Sequence, residues 1–194
     1  VRHFARRMQI ESARLAHLVT DLVDLSRLQG DDPMQYAKEV DIDEVLAEAV
    51  DSMRTSAQAK EIEIVIAGDR NAKVFGVESQ LVTAVRNLLA NAVAYSGEQT
   101  RITLGCRVAP AHCEITVTDQ GIGIPPEAIE RIGREAGFRT DVSKSQAGGI
   151  GLGMVYTRRV IDAHGGVMGI ESELGVGSTF SATLPIKQAA ESKD

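Results

Sequence analysis

The sequence predicts an α+β fold, an α/β sandwich in which a mixed sheet carries helices on one face. Three observations lead there. Ile102, Leu104, Cys106 and Val108 alternate along one segment, and Cys113, Ile115 and Val117 alternate along the next. Two such runs joined near Ala109-Pro110 predict a hairpin. Leu81, Val85, Leu88 and Ala92 recur at helical spacing between about Glu78 and Tyr95, which gives that helix one apolar face. A further helix from about Leu152 to Ala163 stops at His164-Gly165-Gly166, and two strands near Val167–Ser172 and Thr179–Pro185 close the chain. Elements that are apolar on one side only are buried by stacking helices on a sheet.

The remaining elements follow in chain order. Met8, Leu15 and Leu22, with Leu18 and Leu25, make a heptad seam on a helix from roughly Arg2 to Leu28, interrupted once by Glu11. Gly30-Asp31-Asp32-Pro33 ends it. The seam lies ahead of these breakers and the globular pattern lies behind them. It therefore suits one helix of a dimeric bundle better than a helix packed on its own domain. Asp41 or Asp43 is placed to cap a helix running to about Ala59. Ile62, Ile64 and Ile66 alternate with Glu63 and Val65 as a strand, and a short strand is expected near Val74. Pro125-Pro126-Glu127 starts a short helix. Residues Gly133 to Gly149 are rich in glycine and polar residues and read as a long mobile loop. The expected division is a partial bundle helix over 1–30, a globular domain over 31–187 and a frayed tail over 188–194.

The 194 residues are 43% hydrophobic, enough for one good core with a helical appendage. A net charge of −6 argues against nucleic acid or an anionic membrane surface as direct partners. Tryptophan is absent and aromatics are 4%, so stacking platforms for single strands are not expected either. No apolar run is long enough to span a membrane, and no signal peptide is visible. Two cysteines, Cys106 and Cys113, fit a reducing compartment, although facing each other across a hairpin would allow a chance disulfide. Metal-ligand spacing among cysteines and histidines is missing.

Three motifs carry chemistry. Asn87, Asn91 and Tyr95 lie at i, i+4 and i+8, a stripe at the edge of an apolar helix face. Asparagine disfavours helix interiors because its amide competes for backbone bonds, so two on one stripe need a reason. Asp119-Gln120-Gly121-Ile122-Gly123 ends a strand in a glycine turn. Gly148-Gly149-Ile150-Gly151-Leu152-Gly153 precedes a helix, where exposed N–H groups suit an anion. This is not a Walker loop, since Gly-Lys-Ser/Thr is missing, nor a dinucleotide fingerprint, since no strand leads straight into it. The set suits a site that reads a base with a carboxylate, wraps phosphates in backbone amides and holds a metal through a side-chain amide.

These motifs resemble those of the ATP-binding domain of sensor histidine kinases, within the wider gyrase and MutL ATPase family. The resemblance runs from about Phe4 to Ile186. It implies the Bergerat ATP-binding fold, with ATP and Mg2+ as nucleotide and metal. It places Mg2+ on the amide oxygen of Asn91, with Asn87 near the phosphates and Tyr95 at the edge of the base pocket. Asp119 would accept from the exocyclic amine of adenine, Gly121 and Gly123 would turn the backbone beside the base, and Gly149, Gly151, Leu152 and Gly153 would wrap phosphates. Arg139 or Lys144 would reach the phosphates from a nucleotide lid. The chain departs from the pattern at Ala94, where the family often has a cation, and at Gly133 and Ala136, near which the family has lid phenylalanines. Phe138-Arg139-Thr140-Asp141 restores that pattern about one residue late.

The resemblance implies transfer of the ATP γ-phosphate to a histidine and relay to an aspartate on a response regulator receiver domain. The family's acceptor histidine is followed by an acidic residue and then, shortly after, proline. His3, His17, His112 and His164 are followed by Phe, Leu, Cys and Gly. The expectation is thus a fragment beginning after its acceptor helix, cytoplasmic, homodimeric in its parent through the bundle helices, and membrane-attached only through upstream segments. The alternatives are a nucleotide-binding module with little kinase activity because of the altered lid, or an ATPase of the gyrase or MutL type. The preceding heptad helix and the acidic charge argue against the latter.

Overall fold

The computed structural model describes residues 33–138 and 151–186, together with Val23. Apart from Val23, the heptad helix lies outside the described residues, as do most of the expected lid and the tail.

The first strand among the described residues is one that the sequence reading omits. Lys38–Asp41 (β1) pairs antiparallel with Lys73–Gly76 (β3), setting Val40 opposite Val74. Only Val40 of its four residues is buried, so there was too little alternation to see. Asp41 then caps Ile42–Gln58 (α1), its carboxylate accepting from Asp43 N–H at 2.9 Å. Of the two candidates, Asp41 is therefore the cap. Glu63–Gly68 (β2) follows, with Ile62 buried just ahead of it.

Glu78–Tyr95 (α2) spans the range its periodicity predicts and buries Leu81, Val85, Leu88 and Ala92. Arg101–Val108 (β4) and His112–Thr118 (β5) form the expected hairpin. Pro126–Ile129 (α3) is a single turn started by proline. Gly153–Ala163 (α4), Val167–Glu173 (β6) and Gly177–Pro185 (β7) complete the described chain.

Five strands form one sheet in the order β2-β4-β5-β7-β6. β2 runs parallel to β4 and the other pairings are antiparallel. The sheet is therefore mixed, as expected. Its inner face buries Ile102, Leu104, Ile115, Val117, Phe180 and Leu184 under the helices. Thr103, Thr116, Ser181 and Thr183 point the other way and are only half-covered. α2 is the central helix, packed between α1 and α4.

Cys106 and Cys113 are both buried free thiols. In the register Cys106 lies opposite Ile115 and Cys113 opposite Val108, so the cysteines are diagonal neighbours rather than a facing pair. Their sulfurs are 3.6 Å apart and share a hydrogen bond.

His164 is more than a helix terminator. It is buried, its Nε2 accepts from Val77 N–H at 3.0 Å, and its Nδ1 lies 2.7 Å from Val160 O. The ring joins the end of α4 to the start of α2, whose leading residue Val77 has no side-chain cap to offer.

Candidate functional site

Asp119 directly follows β5 and is buried, 7% exposed. Burial pushes its carboxyl above the usual carboxylate range, and N–H bonds from Gly121 and Ser178 oppose that rise. Both bonds fall on Oδ1, at 2.8 Å from Gly121 N and 3.2 Å from Ser178 N. Among the described residues Oδ2 takes no hydrogen bond. One oxygen thus fixes the side chain, and the other is left as an acceptor for an incoming donor.

Backbone approach makes glycine necessary in this turn. A Cβ at Gly121 would stand 2.7 Å from Tyr95 O, and one at Gly123 would collide with Glu173 O while Gly123 itself sits at φ +70°. The turn between β6 and β7 supports it from the other side. Ser172 Oγ accepts from Ile124 N–H at 2.8 Å, donates to Gly177 O at 2.9 Å and meets Ser178 Oγ at 2.9 Å. Asp119 N–H donates to Ser178 O at 2.8 Å, and Gly175 N–H donates to Ile122 O at 2.9 Å. The sequence reading missed Ser172, Gly177 and Ser178. The signal available was Gly175-Val176-Gly177-Ser178, two glycines just ahead of a strand.

The end of α2 meets the same turn. Ser96 forms an isolated antiparallel bridge with Gly121, and Ile122 N–H donates to Tyr95 O at 3.4 Å. Tyr95, Asn91 and Asn87 are all half-buried, as expected for the border of an apolar face. Eight helical residues separate Asn87 from Tyr95, about 12 Å of helix. At the far end Asn87 Nδ2 donates to Gly153 O at 3.2 Å, and Thr157 Oγ1 donates to the same carbonyl at 2.9 Å. The stripe thereby connects the Asp119 turn to the start of α4.

α4 begins after Leu152, which gives no side-chain cap, and its first turn holds no acidic residue. Its leading N–H groups are therefore suited to an anion. A Cβ at Gly151 would lie 2.7 Å from Phe138 O, so the residues flanking 139–150 stand side by side. Phe138 is held by Arg131, whose guanidinium carbon sits 4.0 Å from the ring centroid and which also pairs with Glu135. A phenylalanine one residue late is thus tied to the turn that follows α3. Arg139, Lys144 and Gly149 lie outside the described residues.

Among the described residues no cluster of three or more His, Cys, Asp or Glu could hold a metal. Asn91 makes no side-chain hydrogen bond among them. Its amide oxygen is a single hard donor, which fits a Mg2+ ion that keeps water and takes its other oxygens from phosphates. Among the described residues no helix is long and apolar enough to cross a membrane.

This geometry is that of an ATPase-type nucleotide fold, and the chain belongs to the histidine kinase-, DNA gyrase B- and HSP90-like ATPase family, whose model matches residues 76–188. Within that family it is similar to sensor histidine kinases. It is 40% identical over 186 residues to the sensor-like histidine kinase SenX3 of Mycobacterium tuberculosis, covering 95% of this chain and 45% of that protein. The mycobacterial sensor histidine kinase MprB aligns in three dimensions with a TM-score of 0.66 at 29% identity, over 77% of this chain and 97% of the other. Full-length ShkA in complex with AMPPNP aligns with a TM-score of 0.80 at 28% identity, over 97% of this chain and 40% of the other. The chain spans less than half the length of SenX3.

Proposed function

We propose that this chain binds MgATP and serves as the catalytic region of a protein-histidine kinase. The observation that carries the reading is the buried Asp119 carboxylate, with one oxygen fixed by backbone amides and the other open, at one end of the asparagine stripe. A carboxylate there accepts the exocyclic amine of adenine. Guanine would present a carbonyl at that place and be repelled. Tyr95 borders the base, and the amides of Gly149, Gly151, Leu152 and Gly153 take the phosphates. Asn87 lies beside those phosphates and braces the first turn of α4. Asn91 would hold Mg2+, which supplies charge neutralisation on the phosphate oxygens. Arg139 and Lys144 are the cations of the proposed lid. That AMPPNP accompanies the similar ShkA supports an adenine nucleotide here.

The protein's own part in the reaction is placement and electrostatics rather than covalent chemistry. An imidazole nitrogen forms a bond to the γ-phosphorus as the bond from that phosphorus to the β,γ-bridging oxygen breaks; the oxygen leaves on the β-phosphate of ADP, and the other ring nitrogen releases its proton, giving phosphohistidine with a neutral ring. None of the four histidines has an acceptor sequence, and His164 is buried in a structural bridge. The acceptor is therefore a histidine on a dimerisation hairpin, and residues 1–30 are proposed as that hairpin's second helix. The next recipient is a response regulator receiver domain. Membrane attachment, where the parent protein has it, belongs to segments upstream of the catalytic region.

The test is phosphotransfer from labelled ATP. With Mg2+, the 194-residue chain alone should form no acid-labile phosphohistidine, while a dimerisation hairpin bearing its own histidine should accept label slowly in trans. Label on any of the chain's own histidines would reverse the acceptor assignment. Failure to bind ATP in a calorimetric titration would remove the reading altogether.

A further inference from the structure

Lys60 lies in the turn between α1 and β2, outside every motif described above, and is half-buried. Its ammonium group donates to three carbonyls: Val93 O at 2.7 Å, Ala94 O at 3.0 Å and Ser96 O at 3.1 Å. An ammonium has three N–H bonds, and all are used. Val93 O and Ala94 O are carbonyls that the end of α2 leaves without intrahelical donors, and Ser96 O belongs to the residue just after the helix. α2 has no basic residue in its own last turn, and Ser96 Oγ is buried with no hydrogen-bond partner among the described residues, so no side chain of the helix itself serves these carbonyls. The cation comes from 33 to 36 residues earlier in the chain.

The turn holding Lys60 is itself tied down. Lys60 O accepts from Gln99 N–H at 3.0 Å, and Gln99 Nε2 donates to Glu61 Oε2 at 2.7 Å. Glu61 and Gln99 both adopt left-handed backbone, at φ 53° and 57°. Two loops therefore hold the lysine against the helix end.

That helix end is the one that carries Tyr95 and touches the Asp119 turn. Ser96 bridges Gly121, and the contact from Ile122 N–H to Tyr95 O is already long at 3.4 Å. We infer that Lys60 is a positioning residue for base recognition: by fastening the last turn of α2 it sets Tyr95 and the Asp119–Ile122 turn at the separation adenine requires. The inference rests on reading Asp119 as the adenine acceptor. Lys60 is not a phosphate-binding cation, because its three donors are spent on carbonyls.

The experiment is a calorimetric comparison of ATP with purine riboside triphosphate, which lacks only the exocyclic amine. Wild type, Lys60→Met, Lys60→Arg and Asp119→Asn are titrated as full chains with Mg2+. Lys60→Met should weaken ATP about tenfold while moving the amine-free nucleotide by less than about twofold, and Lys60→Arg should recover ATP to within about threefold of wild type. Equal weakening of both nucleotides overturns the inference, because it is what general loosening would give. An unchanged ratio in Lys60→Met, with a lowered ratio in Asp119→Asn, overturns it and leaves the adenine reading standing. A ratio untouched by Asp119→Asn removes the adenine reading, and Lys60's proposed role with it. Circular dichroism checks the fold first. If Lys60→Met does not fold, Lys60→Gln, which keeps one donating amide, carries the same comparison with a smaller expected drop in the ratio.

Discussion

At the Asp119 turn the chain holds its functional group with backbone. Gly121 N–H, Ser178 N–H and the serines of the β6–β7 turn all converge there, and a Cβ at Gly121 or Gly123 would collide with main chain. At the other end of the stripe the functional groups are side-chain amides on a helix. Asn87 makes one bond of 3.2 Å, and Asn91 makes none among the described residues. On the proposed reading the base end is preorganised by the fold, whereas the phosphate end offers side-chain amides that would gain their partners from nucleotide and metal. The difference predicts that damage to the base end costs stability and binding together. Damage at Asn91 should cost metal response and leave the fold alone.

The harshest way to break this contrast is Gly123→Ala. The residue sits at φ +70° with Glu173 O where a Cβ would go. Left-handed strain and overpacking together should cost about 2–4 kcal/mol of stability. Urea denaturation measures it, and an unchanged midpoint would mean that the β6–β7 turn gives way freely. Asp119→Asn comes next. Hydrogen bonds to charged groups are worth about 1.5–3 kcal/mol, so ATP affinity should fall roughly ten- to a hundredfold. The same carboxylate predicts a pH effect. Its pKa is raised by burial, so ATP binding should weaken as pH falls through a range above that of ordinary carboxylates. Titrations in which Asp119→Asn behaves as wild type would take Asp119 out of the pocket.

These two positions also mark what was legible in the sequence. Period-2 and period-3.6 patterns placed α2 and the central hairpin to within a residue or two, because each carries several buried residues in register. The site motifs were legible because glycine and asparagine are unfavourable where they stand unless something requires them. The supports were not. Lys60 reaches carbonyls more than thirty residues away, and Ser178 contacts Asp119 across 59 residues. A lysine in a turn and a serine in a strand look ordinary, and only the topology brings them to the site. β1 was missed for the opposite reason. With one buried residue in four, it is held by its pairing with β3 rather than by a pattern of its own.

On the phosphate side the contrast is sharpened by Asn91→Ala. If Asn91 supplies the protein's oxygen to Mg2+, the variant should lose the magnesium-dependent tightening of ATP, about tenfold, while denaturing at the wild-type urea concentration. Asn87→Ala should change the magnesium response less and stability more, since Asn87 is bonded to Gly153 O and Asn91 has no such partner among the described residues. A magnesium response that survives both substitutions would reduce the stripe to a surface feature.

The smallest effect is expected away from the proposed nucleotide site, at His164, which joins the end of α4 to the start of α2. Its ring is neutral in the fold, with Nδ1–H directed at Val160 O and Nε2 accepting from Val77 N–H. Burial lowers its pKa, the bond to Val160 O opposes that, and no charged group contributes among the described residues. Protonation at Nε2 would set two N–H groups against each other and charge a buried ring. The unfolded chain takes up that proton near the ordinary value of about 6.5, so between there and the lowered folded pKa the unfolded state binds more protons. Stability should be fully present above about pH 6.5 and decline as pH falls below it, by at most about 1.4 kcal/mol per pH unit for one proton. Urea denaturation at several pH values measures the slope. His164→Asn keeps a polar group near Val77 but cannot titrate, so it should be less stable at neutral pH and lose this part of the acid slope. A variant with the full wild-type slope would assign the acid sensitivity to other groups and leave His164 as a neutral bridge alone.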